Sequence, residues 1–221
     1  MSTHVVRMWL PDRPGALGAV ASRIGAVRGD LVGIDILERG GGRAIDELVV
    51  ELPRDDLVPL LVAEVSEVDG VDVEDVRPAP ESLHDPRLDA LETAAVVVEQ
   101  GSVGELLAVL SRHARRDFEA DWVAMVGNEG VEVLAEAGAA PPAAWLQAFL
   151  AGSGVSSQLS AGEAGPDDVA WAPLPSVGRT LVLGREGRPW RGRERRQLMA
   201  LARIAGWRWA ELAGTVEPAR R

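Results

Sequence analysis

The 221-residue chain has no cysteine, no lysine and no tyrosine, and Asn128 is its single asparagine. Without cysteine there is no disulfide, no thiol nucleophile and no thiolate metal site. Without lysine there is no Schiff-base chemistry and no P-loop lysine. Histidine is scarce: His4, His84 and His113 form no HExxH pattern. No apolar run approaches the roughly 20 residues that a membrane-spanning helix needs. The opening Met1-Ser2-Thr3-His4 is not a basic region leading into an apolar stretch, so no secretory leader is read. These absences together predict a cytoplasmic protein with no metal and no cofactor. Positive charge is outweighed as well. The formal net charge of −11 disfavours general binding to nucleic acid or anionic membranes.

What the chain does have is enough apolar content, 47 %, to bury one large core or two ordinary ones. Its first half is organised around Asp12-Arg13-Pro14-Gly15-Ala16-Leu17-Gly18. This stretch follows a strand pattern over residues 4–10. It opens a helix whose apolar stripe is Leu17, Val20, Ala21, Ile24 and Val27. Pro14 suits a first helical position, and Gly15 lets another group approach the backbone. The early amides of such a helix lack intrahelical partners and can receive a carboxylate or phosphate. The plainer alternative is a well-made strand-to-helix turn whose amides face water.

Gly29 is placed to close that helix in a positive-φ conformation. Residues 31–38 form a strand with Val32, Ile34 and Ile36 on one face and Gly33 and Asp35 on the other. Gly40-Gly41-Gly42 turns the chain into a strand over 44–52. Asp55 or Asp56 then caps a second helix with the stripe Leu57, Leu60, Leu61, Val65 and Val68. A short strand over 71–76 completes the series. Strand, helix, strand, strand, helix, strand is the split βαβ, ferredoxin-like arrangement.

That order, with Asp-Arg-Pro-Gly-Ala-Leu after the first strand, resembles an ACT domain over about residues 3–78. The resemblance implies a small regulatory module that pairs side by side through its sheet and often binds an amino acid near the first strand-to-helix loop. On this chain it implies Asp12, Arg13, Gly15, Ala16 and Leu17 as the loop side of a pocket. The facing strand of a second copy, around Ile34 and Asp35, would supply the other wall. Helix amides would take the ligand's carboxylate, and Asp12 or Asp35 its ammonium. An Asp12–Arg13 pair would leave less for a ligand.

The proline-rich stretch 79–86 reads as a linker between an ACT-like domain, residues 1–78, and a second domain, 87–213, with 214–221 as a C-terminal tail. In the second half, Leu88, Leu91, Ala95 and Val98 mark one helix. Val103, Leu106, Leu107 and Leu110 mark another, opened by a Ser102–Glu105 capping box. Strands over 120–126 and 131–137 pair through a turn at Asn128-Glu129-Gly130. Pro141-Pro142 starts a short helix carrying Trp145 and Phe149. Residues 152–165 form a Gly- and Ser-rich loop. Strands over 169–174 and 180–183 precede a helix over 193–212 with the stripe Leu198, Leu201, Ala202, Ala205, Trp209 and Leu212. This order, and the strand Gly178-Arg179-Thr180-Leu181-Val182-Leu183-Gly184 followed by Trp190 and a helix, resembles a degenerate GAF-like domain, whose usual ending is a Gly-x-Leu-x-Leu-Gly strand, an aromatic residue and a helix. The resemblance implies an α/β domain with a central antiparallel sheet, either binding a small molecule beside the sheet or dimerising through its end helices. The overall class is therefore α+β.

Other candidate chemistry reduces to simpler roles. His113 and Asp117 are spaced i, i+4, which favours a surface ion pair over a metal site. Ser153, Ser156 and Ser157 lack the Gly-x-Ser-x-Gly elbow of an esterase. Arg185, Arg188, Arg191, Arg193, Arg195 and Arg196 surround Trp190, a pattern that can hold nucleic acid. With Glu186 and Glu194 interleaved, a solvated turn around a core tryptophan is the favoured reading. Trp122, Trp171 and Trp209 fall on apolar faces, and Trp207 lies off its helix's stripe as a potential partner contact. The chain thus reads as a non-enzymatic regulatory protein that binds a small ligand, an amino acid, at the ACT loop and acts as a homodimer or through a protein partner. The alternative is a structural adaptor with no metabolite ligand.

Overall fold

The computed structural model of the chain describes residues 1–79, 86–127, 132–153 and 165–214. Most of the expected linker, the turn at Asn128-Glu129-Gly130, nearly all of the 152–165 loop with Ser156 and Ser157, His84, and the tail beyond residue 214 lie outside the described residues. Two units are formed, Met1–His84 and Asp85–Arg221.

The first unit runs β1 (Ser2–Pro11), α1 (Ala16–Ala26), β2 (Asp30–Gly40), β3 (Arg43–Leu52), α2 (Val58–Ser66) and β4 (Asp72–Pro78). Its sheet has the order β2-β3-β1-β4 with antiparallel neighbours, the ferredoxin-like arrangement. Alternation sends Val6, Met8 and Leu10 of β1 and Leu48, Val50 and Leu52 of β3 to one face. There they pack with Val20 and Ile24 of α1 and Leu61 and Val65 of α2.

Local details depart from the sequence reading. The left-handed residue after α1 is Arg28, at φ 61°, rather than Gly29. A Cβ at Gly29 would meet Ile24 at 3.0 Å and Leu52 at 3.2 Å, so that glycine serves close packing. Neither Asp55 nor Asp56 caps α2. Asp55 reaches His4 Nε2 at 3.4 Å, and Asp56 pairs with Arg54. Leu60 is exposed. Strand β2 lies at a sheet edge and is bulged twice, between Leu31 and Gly33 and between Ile36 and Glu38. Its Val32, Ile34 and Ile36 are exposed, and Leu37 is the buried residue.

On the sheet face away from the helices, Glu47 accepts from Arg7 Nη2 and Arg77 Nη2, each at 2.9 Å. Arg77 Nη1 lies 3.0 Å from Asp75. Arg7 is only 1 % exposed, a burial a guanidinium tolerates because it is paired.

The second unit runs α3 (Pro86–Glu99), α4 (Val103–Asp117), β5 (Trp122–Gly127), β6 (Val133–Gly138), α5 (Ala143–Ser153), β7 (Val169–Leu174), β8 (Arg179–Gly184) and α6 (Gly192–Leu212). Its antiparallel sheet has the order β6-β5-β8-β7. Val123 and Met125 of β5, with Leu181 and Leu183 of β8, face α3, α4 and α6. Ala124, Val126 and Val182 face the opposite way, toward Leu146 of α5 and Trp171. The Ser102 hydroxyl caps α4 by accepting from the Glu105 amide at 3.3 Å. Gly184 leaves the space that the Trp122 indole fills, since a Cβ there would lie 2.2 Å from the ring.

One helix is turned over relative to the sequence reading. Leu88, Leu91, Ala95 and Val98 of α3 face outward, with Leu91 69 % exposed. Thr93 and Val97 are the buried side chains. Trp207 of α6 is 60 % exposed, as its position off the stripe predicts.

Candidate functional site

The loop between β1 and α1 is set by two local features. The Asp12 amide donates to Gly42 O at 2.9 Å and the Arg13 amide to Pro11 O at 2.8 Å, which folds the chain back at the strand end. Gly15 then adopts φ 87° as the residue ahead of α1, a conformation that disfavours any side chain. A Cβ there would meet nothing within 4 Å. Gly15 is therefore required by the turn, and within the chain the space beside it is open. Pro14 lies in this turn, before the helix and not at its first position.

Helix α1 has no side-chain cap. The Ala16 amide bonds to Arg13 O at 3.3 Å and that of Ala19 to Gly15 O at 2.9 Å. Among the described residues, the intervening amides of Leu17 and Gly18 take no backbone acceptor outside the helix. Asp12 and Arg13 are exposed, Ala16 is buried and Leu17 is half-buried. Asp12 and Arg13 form no ion pair with each other among the described residues.

Ile34 and Asp35 sit in β2, opposite Leu48 and Glu47 of β3. Within one chain they are thus on the same sheet as the loop, with Ile34 exposed at the edge. The sequence reading missed a third acid. Asp46 of β3 stands opposite Met8 on one side and Ile36 on the other, so it faces the helix side of the sheet. It is only 5 % exposed, and its Oδ1 has no hydrogen-bond partner. Burial lifts its carboxyl above the ordinary value of 3.8; Arg39 opposes this, and Asp12 and Asp35 add to it. Asp12 and Asp35 each therefore lie within electrostatic reach of Asp46. Only the apolar–polar alternation of β3 could have signalled Asp46, because a carboxylate occupies a register position that apolar residues otherwise hold.

The other candidates resolve into structural roles. His113 Nδ1 lies 3.1 Å from Thr93 Oγ1, whose hydroxyl donates to Asp117 Oδ2 at 2.5 Å. This links α3 to α4 and replaces the direct surface ion pair expected of His113 and Asp117. Burial and Arg116 hold the His113 pKa below its usual value, with Asp117 opposing. The arginine run is largely consumed internally. Arg185 is buried, pairs with Glu194 at 2.7 Å and lies 4.0 Å over the Trp190 ring. Arg188 pairs with Glu119 at 2.7 Å, and Arg195 donates to Pro166 O at 2.7 Å. Among the described residues no cluster could hold a metal ion, and no helix is long and apolar enough to cross a membrane.

No protein-family model and no curated protein matches the chain. Among solved structures it is similar to the ACT domain of a GTP pyrophosphokinase from Chlorobium tepidum, at 17% identity and a TM-score of 0.29, over 35% of this chain and 97% of that one. It is also similar to a formyltetrahydrofolate deformylase from Pseudomonas putida KT2440, at 17% identity and a TM-score of 0.30, over 44% of this chain and 39% of that one. A third likeness is to an unknown protein from Galdieria sulphuraria, at 12% identity and a TM-score of 0.32, over 60% of this chain and 75% of that one.

Proposed function

We propose that the chain is a non-enzymatic regulatory protein that binds an amino acid at the loop between β1 and α1 and acts by self-association or through a protein partner. The observation that carries the reading is Asp46, a buried carboxylate with an unpartnered oxygen in the electrostatic neighbourhood of Asp12, in a unit whose α1 starts without a side-chain cap. A ligand bearing both ammonium and carboxylate answers both needs. The acids take the ammonium, and the amides of Leu17 and Gly18 take the carboxylate. The exposed apolar edge of β2, with Ile34 and Ile36, supports pairing with the same edge of a second copy, which would bring a partner's β2 toward the loop.

For the second unit we favour a GAF-like module without a ligand pocket beside its sheet. Under α5 the face is filled by aromatic rings. Trp145 and Phe149 stack at 5.4 Å, Phe149 meets the Trp171 ring edge-on at 5.0 Å, and Trp122 meets Trp145 at 6.4 Å. The outward Leu88, Leu91 and Val98 of α3 and Trp207 of α6 support the second reading, a structural adaptor working through protein contacts alone.

Thermal melting against the twenty common amino acids separates the two readings. A ligand at 100 times its Kd should add about 2.7 kcal/mol of stability, and Asp12→Ala should abolish the shift. No shift with any amino acid at millimolar concentration, together with self-association that Ile34→Lys weakens, would leave only the adaptor.

A further inference from the structure

The second unit carries an open surface hollow of about 380 Å³ lined by Arg112, Arg115, Arg116, Glu119, Ala120 and Ala137. That volume suits a small ligand. The three arginines fall at i, i+3 and i+4 on α4 and therefore share one helix face. Two small alanines leave the room in front of them.

The charges in this hollow do not cancel. Glu119, the one acid in the lining, is drawn off by Arg188, which holds its carboxylate at 2.7 Å and its carbonyl at 2.8 Å. Arg116 is held by Asp117 at 2.7 Å. Among the described residues, the Arg115 side chain has a single partner, the Asp121 carbonyl at 3.2 Å. Arg112 has no ion-pair or hydrogen-bond partner among the described residues. Favourable interaction with the negative end of α4 explains basic residues in its last turn, at 115 and 116. It does not explain Arg112 a turn earlier, nor the convergence of all three on one hollow.

We propose that this hollow is an anion site that takes the phosphate group of a small molecule. Guanidinium groups pair with phosphate in bidentate fashion, and Arg112 and Arg115 are the two with charge to spare. Arg116, fixed by Asp117, sets one edge of the site. The site shares no residue with the Asp12–Leu17 loop, so the two ligand tests fail independently.

The test is calorimetric titration of the full chain at low ionic strength with inorganic phosphate and with adenosine monophosphate. Saturable binding is expected, falling as salt screens the arginines. Arg112→Ala and Arg115→Ala should each weaken it by about tenfold, one charged hydrogen-bonding group's worth. Arg203→Ala, an exposed arginine of α6, should leave it unchanged. Amide NMR shifts on titration should concentrate at Ala120 and Ala137. Stronger binding of the nucleotide would identify an esterified phosphate as the ligand; equal binding would identify the free ion. Absence of saturable binding at millimolar probe, or an equal loss in Arg203→Ala, would overturn the site. So would preferential binding of a phosphoserine peptide, which would make it a protein contact.

Discussion

The two sheets are built alike, each four-stranded with antiparallel neighbours, yet they are used differently. The first carries its apolar cluster on the helix face and a network of Arg7, Glu47, Arg77 and Asp75 on the other. The second carries an apolar cluster on each face, one under α3, α4 and α6 and one under α5. Among the described residues both faces of the second sheet are covered by apolar side chains, and the arginines of α4 stand at its rim. A sheet with one apolar face can place unpaired acid at the margin of its core, and Asp46 does this.

The largest expected effect tests the second of these cores. Trp171→Ala removes a fully buried indole that also carries the edge-on contact with Phe149. It should cost about 3–5 kcal/mol. Hydrogen exchange after this change should show protection lost in β5, β7 and β8 and kept in β1 and β3. Equal loss in both sheets would mean that the two cores do not stand apart.

The same comparison shows how far a sequence of this kind can be read. The βαββαβ order was legible because α1 carries a regular apolar stripe and the apolar strand runs are bounded by turn residues; the stripe Val20, Ile24 and Val27 is buried as its spacing requires. α3 was read upside down because Leu88, Leu91 and Val98 satisfy helical spacing as well as any core stripe does. What selects the other face is Thr93, and its partners His113 and Asp117 lie on a different helix. Periodicity registers apolar residues and is blind to a buried polar link. Asp46 was missed for a related reason, since its burial depends on register with Met8, which is distant in sequence. The loop at Asp12 to Leu17 was visible, but the conformational demand on its glycine was not, because a backbone angle of φ 87° leaves no trace in composition.

A smaller effect is expected from the charged face of the first sheet. Glu47→Gln leaves the buried Arg7 without its 2.9 Å carboxylate partner, with Glu74 at 4.0 Å. The loss should be about 2–3 kcal/mol at neutral pH, toward the low end for breaking a buried pair because Arg77 keeps Asp75. Burial alone would raise the Glu47 pKa, but Arg7 and Arg77 outweigh it and hold the group below its ordinary 4.5. The carboxylate therefore stabilises the fold above about pH 4.5, and its contribution fades as pH falls through the lowered value. Denaturation of wild type and variant at several pH values should converge on the acid side. A difference that persists there would assign the effect to shape rather than charge.

Asp46 should behave in the opposite sense, and by less. Its carboxyl is raised by burial, so the ionised form is the one the fold disfavours. The penalty is present at neutral pH and disappears as pH falls below the ordinary 3.8. Asp46→Asn should thus stabilise the unliganded protein by about 1 kcal/mol, the scale of one poorly satisfied buried polar group. The gain should vanish in acid. If a ligand's ammonium is what this carboxylate awaits, the same substitution must also weaken amino-acid binding, so stability and affinity move in opposite directions. A variant that is neither more stable nor poorer at binding would show that the carboxylate is solvated or paired in solution. The loop would then lose the one feature that distinguishes it from an ordinary turn.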